Sequence, residues 1–363
     1  MKRDLFCEFK HDINEKKLIA FGASRFLEVI SENYKELELA DKISYLIDSD
    51  ANKINTKLSL ANKMKTILPP QRLLEEKLEN IVILISADKY AYEIYMQISN
   101  MIDISKAKIY ILSLMIANHY DDSSIQYLEQ NSENKIPKKI HCFWFSKEKK
   151  EGIVKECFES WKRNCPDYEI CEWNADNYDV TKNEYAYNAF KNKSWASVTD
   201  YARMDILNQY GGIYLDLDVR LFKNLDVLLK NDMFIAFGPI REIEAATIGS
   251  IKGHPYLNKI LKIYDDITIP SGRSVDLRYV QPVLLDRMFE ECGFVINGKF
   301  QKKDNVTIYP RDLFSGRNWF TGENEYTDYA LGVHECVGGW ADKSMRQAKI
   351  DGYKKLEEIF FGE

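Results

Sequence analysis

The sequence lacks a disulfide framework, a long hydrophobic run and an excess of positive charge. Its seven cysteines follow no disulfide or zinc spacing, and no two of them form a C-x-x-C pair. No apolar run approaches the roughly eighteen residues that span a bilayer, and MKRDLFCEFK has no signal-peptide core. The formal net charge of −6 argues against nucleic acid as a main partner. These absences predict a cytoplasmic protein with reduced thiols and no transmembrane segment.

A complete dinucleotide-binding fingerprint is also missing, although the N-terminal third alternates strands with helices. Apolar runs at 16–24, 43–50, 80–86 and 107–114 predict four buried strands, with a helix between the last two. Strands that alternate with helices predict a parallel sheet. We therefore expect a small Rossmann-like domain over residues 1–117.

The first strand-to-helix turn of that domain, F-G-A-S-R-F, has one glycine where the fingerprint has three, so NAD or FAD binding is disfavoured. Asp48 nevertheless follows Gly22 at a separation where an acid would meet a ribose. With Asp50 and Lys53 it resembles small Rossmann-like modules that accompany bacterial sugar-polymer enzymes. Two interpretations stay open, a nucleotide or nucleotide-sugar site and a structural or docking role.

A polar stretch at 118–137 predicts a linker to a second domain over residues 138–363. The core of that domain is the stretch SVTDYARMDILNQYGGIYLDLDVRLFKNLD, from 197 to 226. It predicts a helix capped by Ser197 or Thr199, a reversal at Gly211 and a strand of alternating apolar and polar side chains.

Asp216 and Asp218 fall on one side of this predicted strand, with Cα atoms roughly 6–7 Å apart. A hard divalent cation could be held by one carboxylate while the other forms hydrogen bonds. Tyr214 shares their face, and Asp200 and Arg203 are one turn apart on the preceding helix. Each pattern also has a plain interpretation, a solvated strand face for the acids and a helical ion pair for the other two.

At these residues the chain resembles glycosyltransferase family 32. The string D-Y-x-R-x-x-x-L-x-x-Y-G-G-x-Y-x-D-x-D, from Asp200 to Asp218, carries the likeness. Blocks at 136–145, 165–174 and 333–340 extend it in the same order. That family contains capsule-type and Och1-like sugar transferases and is related to the glucosylating domains of large clostridial toxins. The resemblance implies an α/β chain in which a GT-A-like glycosyltransferase domain follows the smaller Rossmann-like domain.

The resemblance also implies an activity. It implies a retaining hexosyltransferase that uses Mn²⁺ or Mg²⁺ and a nucleoside diphosphate sugar, with UDP as carrier. The acceptor would be a saccharide or a lipid-linked saccharide, as in bacterial capsule or surface polysaccharide synthesis. Such an acceptor leaves room for peripheral membrane association.

Individual roles follow from the same resemblance. Asp218 would bind the metal together with His334 or Glu335, and His334 is slightly favoured. Gly338 and Gly339 replace hydroxyl residues that relatives carry before the last tryptophan. The implied donor-binding residues are Trp144, Thr199, Asp200, Arg203, Tyr214, Asp216 and Trp340, of which Asp200, Arg203 and Asp216 would also be catalytic.

Two alternatives stay open. The run I-Y-L-D-L-D-V fits the strand end of haloacid dehalogenase-type phosphatases, in which the first acid, here Asp216, becomes phosphorylated. Those enzymes place the motif on the first strand of their domain, whereas here it falls on a later one. A catalytically inactive, sugar-binding homologue is the other alternative.

Overall fold

The computed structural model describes residues 5–117, 133–145, 149–267, 281–318, 320, 322–336 and 343–362. The chain forms two compact units, and each has its own α/β arrangement. The first unit comprises residues 1–121, 318–323 and 338–363, and the second comprises residues 122–317 and 324–337.

The first unit is built on a six-stranded sheet. Its strands are β1 (Lys17–Phe21), β2 (Ile43–Ile47), β3 (Lys57–Leu60), β4 (Lys63–Leu68), β5 (Ile81–Ile85) and β6 (Lys108–Ile111). Its helices include α1 (Leu5–Glu15), α2 (Arg25–Asn33), α3 (Leu39–Lys42), α4 (Ala91–Met101) and α5 (Leu112–Ala117).

The order of the strands in this sheet is β3-β4-β2-β1-β5-β6. All neighbours are parallel except β3 and β4, which form an antiparallel hairpin at one edge. The four predicted strands are present as β1, β2, β5 and β6, because runs such as IVILI are buried on both faces of a parallel sheet. The hairpin and α1 were not predicted.

Asp48 and Lys53, for which the sequence leaves a nucleotide site open, form hydrogen bonds to the turn after β1. The carboxylate of Asp48 accepts from the amide of Ala23 and from Nζ of Lys53, each at 3.0 Å. Nζ of Lys53 also donates to the Ala23 carbonyl at 3.0 Å. Gly22 has a φ of 111°, and a Cβ there would lie 2.8 Å from Ala87. These contacts favour the structural interpretation.

The second unit contains a seven-stranded sheet of order β13-β14-β11-β12-β9-β7-β8 and a two-stranded sheet of β10 and β15. The strands are β7 (Lys139–Phe143), β8 (Glu169–Trp173), β9 (Gly212–Leu215), β10 (Val219–Leu221), β11 (Met233–Phe237), β12 (Ile243–Ser250), β13 (Gln301–Lys303), β14 (Val306–Tyr309) and β15 (Gly332–His334). The helices include α6 (Gly152–Asn164), α7 (Glu184–Lys191), α8 (Trp195–Tyr210), α9 (Pro255–Asp265) and α10 (Gln281–Glu291).

Strand β9 lies in the middle of this unit and packs on both of its faces. It is parallel to β7 and antiparallel to β12. Tyr214 points into one hydrophobic cluster, whereas Ile213 and Leu215 point into another that contains Trp161 from α6. The indole of Trp161 donates to the Val219 carbonyl at 2.7 Å. Strand β9 is therefore packed on both faces, and the indole of Trp161 holds the start of β10.

A last helix, α11 (Lys343–Phe361), belongs to the first unit, although the predicted boundaries place it in the second domain. Its Tyr353 and Leu356 are buried, and Tyr353 stacks on Phe320. Ring contact between Tyr95 of α4 and Phe360 adds to the packing. An amphipathic pattern shows that such a helix needs an apolar partner, but it does not say which unit supplies it.

Most of the predicted linker lies outside the described residues. At its end, Ile136 is buried in the second unit, and its amide donates to the Leu229 carbonyl at 3.0 Å. Residues 133–137 are therefore part of that unit. Within the described ranges, every helix is too short or too polar to cross a membrane.

Candidate functional site

Helix α8 begins earlier than predicted. Ser197 and Thr199 lie inside it rather than at its start, and Ser194, in the N-cap position, makes no side-chain capping bond. The hydroxyl of Thr199 donates to the Trp195 carbonyl at 2.9 Å, so the predicted capping role is wrong. The predicted end is confirmed: Gly211 has a φ of 65°, and a Cβ there would lie 2.8 Å from the amide of Lys252.

The two acids of the D-x-D motif lie in a turn and not on a continuous strand. Strand β9 ends at Leu215, β10 begins at Val219, and the amide of Val219 donates to the Asp216 carbonyl at 2.9 Å. The prediction of a single strand was wrong. Leu215 and Val219 are both buried, so apolar and polar residues alternate across the turn just as they would along one strand.

The carboxylates of this turn nevertheless converge, and His334 joins them. One ligand atom each from Asp216, Asp218 and His334 lie within 4.8 Å of one another. Nε2 of His334 is 3.3 Å from Oδ1 of Asp218. Antiparallel pairing of β10 with β15 places Val219 opposite His334, and the amide of Glu335 donates to the Asp218 carbonyl at 2.9 Å. The pairing of two short strands thus assembles the group.

Arg203 connects the helix to this turn. Its guanidinium donates to Asp200 at 3.2 Å and to the Ala245 carbonyl at 2.7 Å, and it lies 3.5 Å from Asp216. It also lies over the ring of Tyr214, 4.6 Å from the centroid. The hydroxyl of Tyr214 donates to Asp216. These contacts hold the guanidinium and the first acid of the motif in fixed positions.

Charge is crowded at this site. Burial raises the pKa of Asp200 to about 6, although Arg203 opposes the rise. Burial also raises the pKa of Asp216; Arg203 lowers it and Asp218 adds to the rise. Burial lowers the pKa of His334, but Glu244 and other neighbours more than offset this and raise it well above its usual range. A bound cation would relieve the crowding of the carboxylates.

Glu244 is a site residue that the sequence analysis missed. It lies on β12, where its carboxylate contacts Nδ1 of His334 and accepts from the hydroxyl of Ser315. Sγ of Cys336 is 3.4 Å from the same Nδ1. Glu244, His334 and Cys336 form a second group whose ligand atoms lie within 4.8 Å of one another. An acid in a strand gives no local signal of such a contact.

Glu335, the other predicted metal ligand, lies elsewhere. Its carboxylate contacts Arg220 and Arg317 at 2.7 Å each, and its side chain is only 6% exposed. It belongs to neither group of potential metal ligands among the described residues. Neighbouring residues on an extended chain point to opposite sides, and here His334 faces the acids.

The remaining predicted donor-binding residues differ in placement. Trp144 is partly buried and follows β7, at the same edge where Asp216 follows β9, because these strands are parallel. Tyr214, predicted to bind the donor, is 1% exposed, and its hydroxyl contacts Asp216. The backbone carbonyl of Thr199 accepts a hydrogen bond from Nε of Arg203 at 3.2 Å. Trp340, like Gly338 and Gly339, lies outside the described residues.

Residues 153–235 match the family model described as a glycosyltransferase sugar-binding region containing a DXD motif. This segment is similar to the sugar-binding region of glycosyltransferases. It contains Arg203, Asp216 and Asp218, whereas His334 and Glu244 lie beyond it. The match gives no support to the phosphatase alternative.

Curated relatives from fungi share part of the chain. Inositol phosphoceramide mannosyltransferase 3 of Schizosaccharomyces pombe is 31% identical over 149 residues, which cover 39% of this chain and 41% of the relative. Mannosyl phosphorylinositol ceramide synthase SUR1 of Saccharomyces cerevisiae is 30% identical over 135 residues, 35% of this chain and 34% of the relative. The chain thus spans less than half the length of either relative. The predicted capsule context finds no support in these relatives.

Two solved structures also show a slight likeness. One is titled PaToxG Glycosyltransferase, with 16% identity, 56% of this chain and 78% of that chain covered, and a TM-score of 0.36. The other is a glycosyltransferase involved in the glycosylation of the major capsid of PBCV-1, with 13% identity, 60% and 98% covered, and a TM-score of 0.34. Likeness at this level assigns neither fold nor function.

Proposed function

We propose that this protein is a metal-dependent glycosyltransferase that moves a hexose from a nucleoside diphosphate sugar to a saccharide or lipid-linked acceptor. The observation that carries the proposal is the convergence of Asp216, Asp218 and His334 beside Arg203. The first two lie in a sugar-binding region that carries the family's D-x-D motif. The proposal includes a GT-A-like fold for the second unit and a Rossmann-like fold for the first.

The donor set of this group suits a small divalent cation. Two carboxylates and one imidazole are ligands that Mn²⁺ accepts, and the imidazole makes Mn²⁺ a better fit than Mg²⁺. Asp218 and His334 would hold the ion. When bound, it supplies positive charge where the departing diphosphate becomes more negative. We assign no metal contact to Glu335, because two arginines occupy its carboxylate.

The other polar residues would position the donor. The contacts of Asp216 with Tyr214 and Arg203 both engage Oδ1, so we assign Oδ2 to a hydroxyl of the ribose or hexose. Arg203 and Asp200 would contact donor hydroxyls and the diphosphate side, where a fixed guanidinium costs little ordering on binding. Trp144, at the same sheet edge as Asp216, would stack on the base.

The acceptor follows from chemistry shared by the relatives. Their names describe mannosyl transfer to inositol phosphoceramide, a lipid with a polyol headgroup. We extend to this chain only the coarser feature, a hydroxyl acceptor on a sugar or polyol that a lipid can carry. Uridine as the base and retention of configuration remain parts of the proposal that rest on the resemblance alone.

Donor hydrolysis without acceptor tests the proposal. The full chain is incubated with UDP-glucose, UDP-galactose or GDP-mannose, with and without Mn²⁺, and nucleotide release is measured. We expect Mn²⁺-dependent release from one donor and a loss of at least ~100-fold in Asp218→Asn, since a metal contributes several kcal/mol to such steps. Exposed Asp176→Asn is the matched control and should behave as wild type.

Two results would contradict the assignment. Release that persists in Asp218→Asn with the same Mn²⁺ dependence would remove this turn from the metal site. Tight binding of a nucleotide sugar without any release would instead support the catalytically inactive homologue.

A further inference from the structure

The imidazole of His334 lies between two carboxylates that come from different parts of the second unit. Nε2 is 3.3 Å from Oδ1 of Asp218, and Nδ1 contacts Oε1 of Glu244. All three side chains are largely buried, with exposed fractions of 18%, 19% and 13% for His334, Asp218 and Glu244. Each ring nitrogen therefore has one carboxylate partner, and the proposed Mn²⁺ site uses only the Nε2 side.

A thiol completes a second group on the Nδ1 side. Sγ of Cys336 is 3.4 Å from Nδ1, and the ligand atoms of Glu244, His334 and Cys336 lie within 4.8 Å of one another. Cys336 has a φ of 47°, a conformation that side chains other than glycine rarely adopt. This backbone conformation accompanies the return of the thiol to a ring two residues earlier in the chain.

We propose that Glu244, His334 and Cys336 form a second metal site, specific for a thiophilic divalent cation such as Zn²⁺, whose occupation excludes Mn²⁺ from the first. A thiolate, an imidazole and a carboxylate are the ligand types that zinc takes in proteins. The sulfur ligand discriminates against Mn²⁺ and Mg²⁺, which prefer oxygen. The first group, Asp216, Asp218 and His334, contains no sulfur and lacks this discrimination against Mn²⁺.

The shared imidazole makes the two sites mutually exclusive. A neutral imidazole has one nitrogen with a lone pair and one with a proton. A cation on Nδ1 leaves the proton on Nε2, which donates to Asp218. A cation on Nε2 leaves the proton on Nδ1, which donates to Glu244. In both states the nitrogen without the metal donates a hydrogen bond to a carboxylate, which orients the metal-bound ring. The imidazole can therefore serve either site.

Zinc binding at the second site replaces the proton on Nδ1 of His334 and the thiol proton of Cys336, and both protons leave to solvent. The ion withdraws His334 from the first site without touching Asp216. The expected consequence is reversible inhibition of Mn²⁺-dependent turnover by zinc, and this consequence rests on the proposed function. The binding of zinc at the second site does not depend on the proposed function.

Cobalt titration of the full, metal-free chain tests the second site directly. Cobalt(II) bound by a thiolate absorbs in the near ultraviolet, whereas cobalt bound by oxygen and nitrogen alone does not. We expect this absorption in the wild type, its loss in Cys336→Ser and an affinity at least about tenfold lower in Glu244→Gln. Cys171→Ser is the matched control, because Cys171 contacts Glu169 and belongs to neither group. That variant should retain the absorption.

Competition between zinc and Mn²⁺ tests whether occupation of the second site excludes Mn²⁺ from the first. Mn²⁺ binding is followed by electron paramagnetic resonance. Zinc can also compete directly for the first site, so we expect it to displace Mn²⁺ from the wild type at a concentration at least about tenfold lower than from Cys336→Ser. Asp218→Asn should weaken Mn²⁺ binding while the cobalt absorption stays, because the asparagine oxygen can still accept a hydrogen bond from Nε2 of His334. The proposal is overturned if the absorption survives Cys336→Ser, or if Mn²⁺ and zinc bind the wild type together. Should Cys336→Ser fail to fold, Glu244→Gln still decides, because the proposal requires that variant to bind cobalt more weakly and to need more zinc for the displacement of Mn²⁺. Neither measurement needs turnover, so a failure of the proposed activity can be distinguished from a failure of the second metal site.

Discussion

Replacement of Glu335 by glutamine should destabilise the protein without weakening its metal binding. The sequence leaves Glu335 and its neighbour His334 as alternative ligands. In the structure the Glu335 carboxylate lies 2.7 Å from both Arg220 and Arg317, and its side chain is 6% exposed. Its charge therefore stabilises the fold around β15 rather than a cation.

The size of the effect follows from these two contacts. A hydrogen bond to a charged group contributes roughly 1.5–3 kcal/mol, and a glutamine oxygen can keep one of the two. The arginine side chains are 37% and 27% exposed, so solvent screens part of the loss. We expect Glu335→Gln to lower the free energy of unfolding by about 2 kcal/mol. For a unit of this size that is a fall of about 4–8 °C in Tm.

Urea unfolding followed by circular dichroism measures the stability, and electron paramagnetic resonance measures Mn²⁺ affinity on the same samples. Glu156→Gln is the matched control, since Glu156 lies 3.7 Å from Arg220 and its side chain is 65% exposed. That variant should unfold as the wild type does. The reasoning fails if Glu335→Gln unfolds normally and binds Mn²⁺ about tenfold more weakly, because Glu335 would then be a ligand.

Two further predictions concern Arg203 and Glu242. Arg203→Lys should lower the free energy of unfolding, measured in urea, by about 2–4 kcal/mol. One ammonium group cannot replace the guanidinium that binds both Asp200 and the buried Ala245 carbonyl. The exposed Arg163→Lys is the control and should have no such effect. Burial raises the pKa of Glu242 to about 7, so its protonated form stabilises the fold at low pH and this contribution is lost as pH rises from about 4.5 to 7. Glu242→Gln should abolish that loss, on the order of 3 kcal/mol, in unfolding measured across this range, and a Glu242→Gln profile that matches wild type would refute the assignment.

Much of the local structure was determined by the sequence itself. The apolar runs of β1, β2, β5 and β6 predict buried strands, because mostly apolar runs, such as the five apolar side chains of β5, fit a sheet covered on both faces. Gly211 ends α8 as expected, since its positive φ and its contact with Lys252 exclude a side chain. The D-Y-x-R and D-x-D residues were also identified from the sequence, because acids and arginines at fixed spacings on one element carry a local signal.

Other features were decided only by contacts between distant parts of the chain. The turn between Asp216 and Asp218 was hidden, because alternating burial is the same for a strand and for two strands that share a core. Glu244 is 90 residues from His334, and no short pattern connects them. Helix α11 packs in the first unit, and no local sequence pattern indicates which unit supplies its apolar contacts.

The choice between His334 and Glu335 shows the physical basis of this division. Two neighbouring residues on a strand must point to opposite sides, and the sequence determines that much. Which side faces Asp218 depends on the antiparallel register of β10 with β15, which places Val219 opposite His334. Register is set by the packing of both strands in the folded unit, so only the tertiary structure could assign the imidazole to the acids and the carboxylate to the arginines.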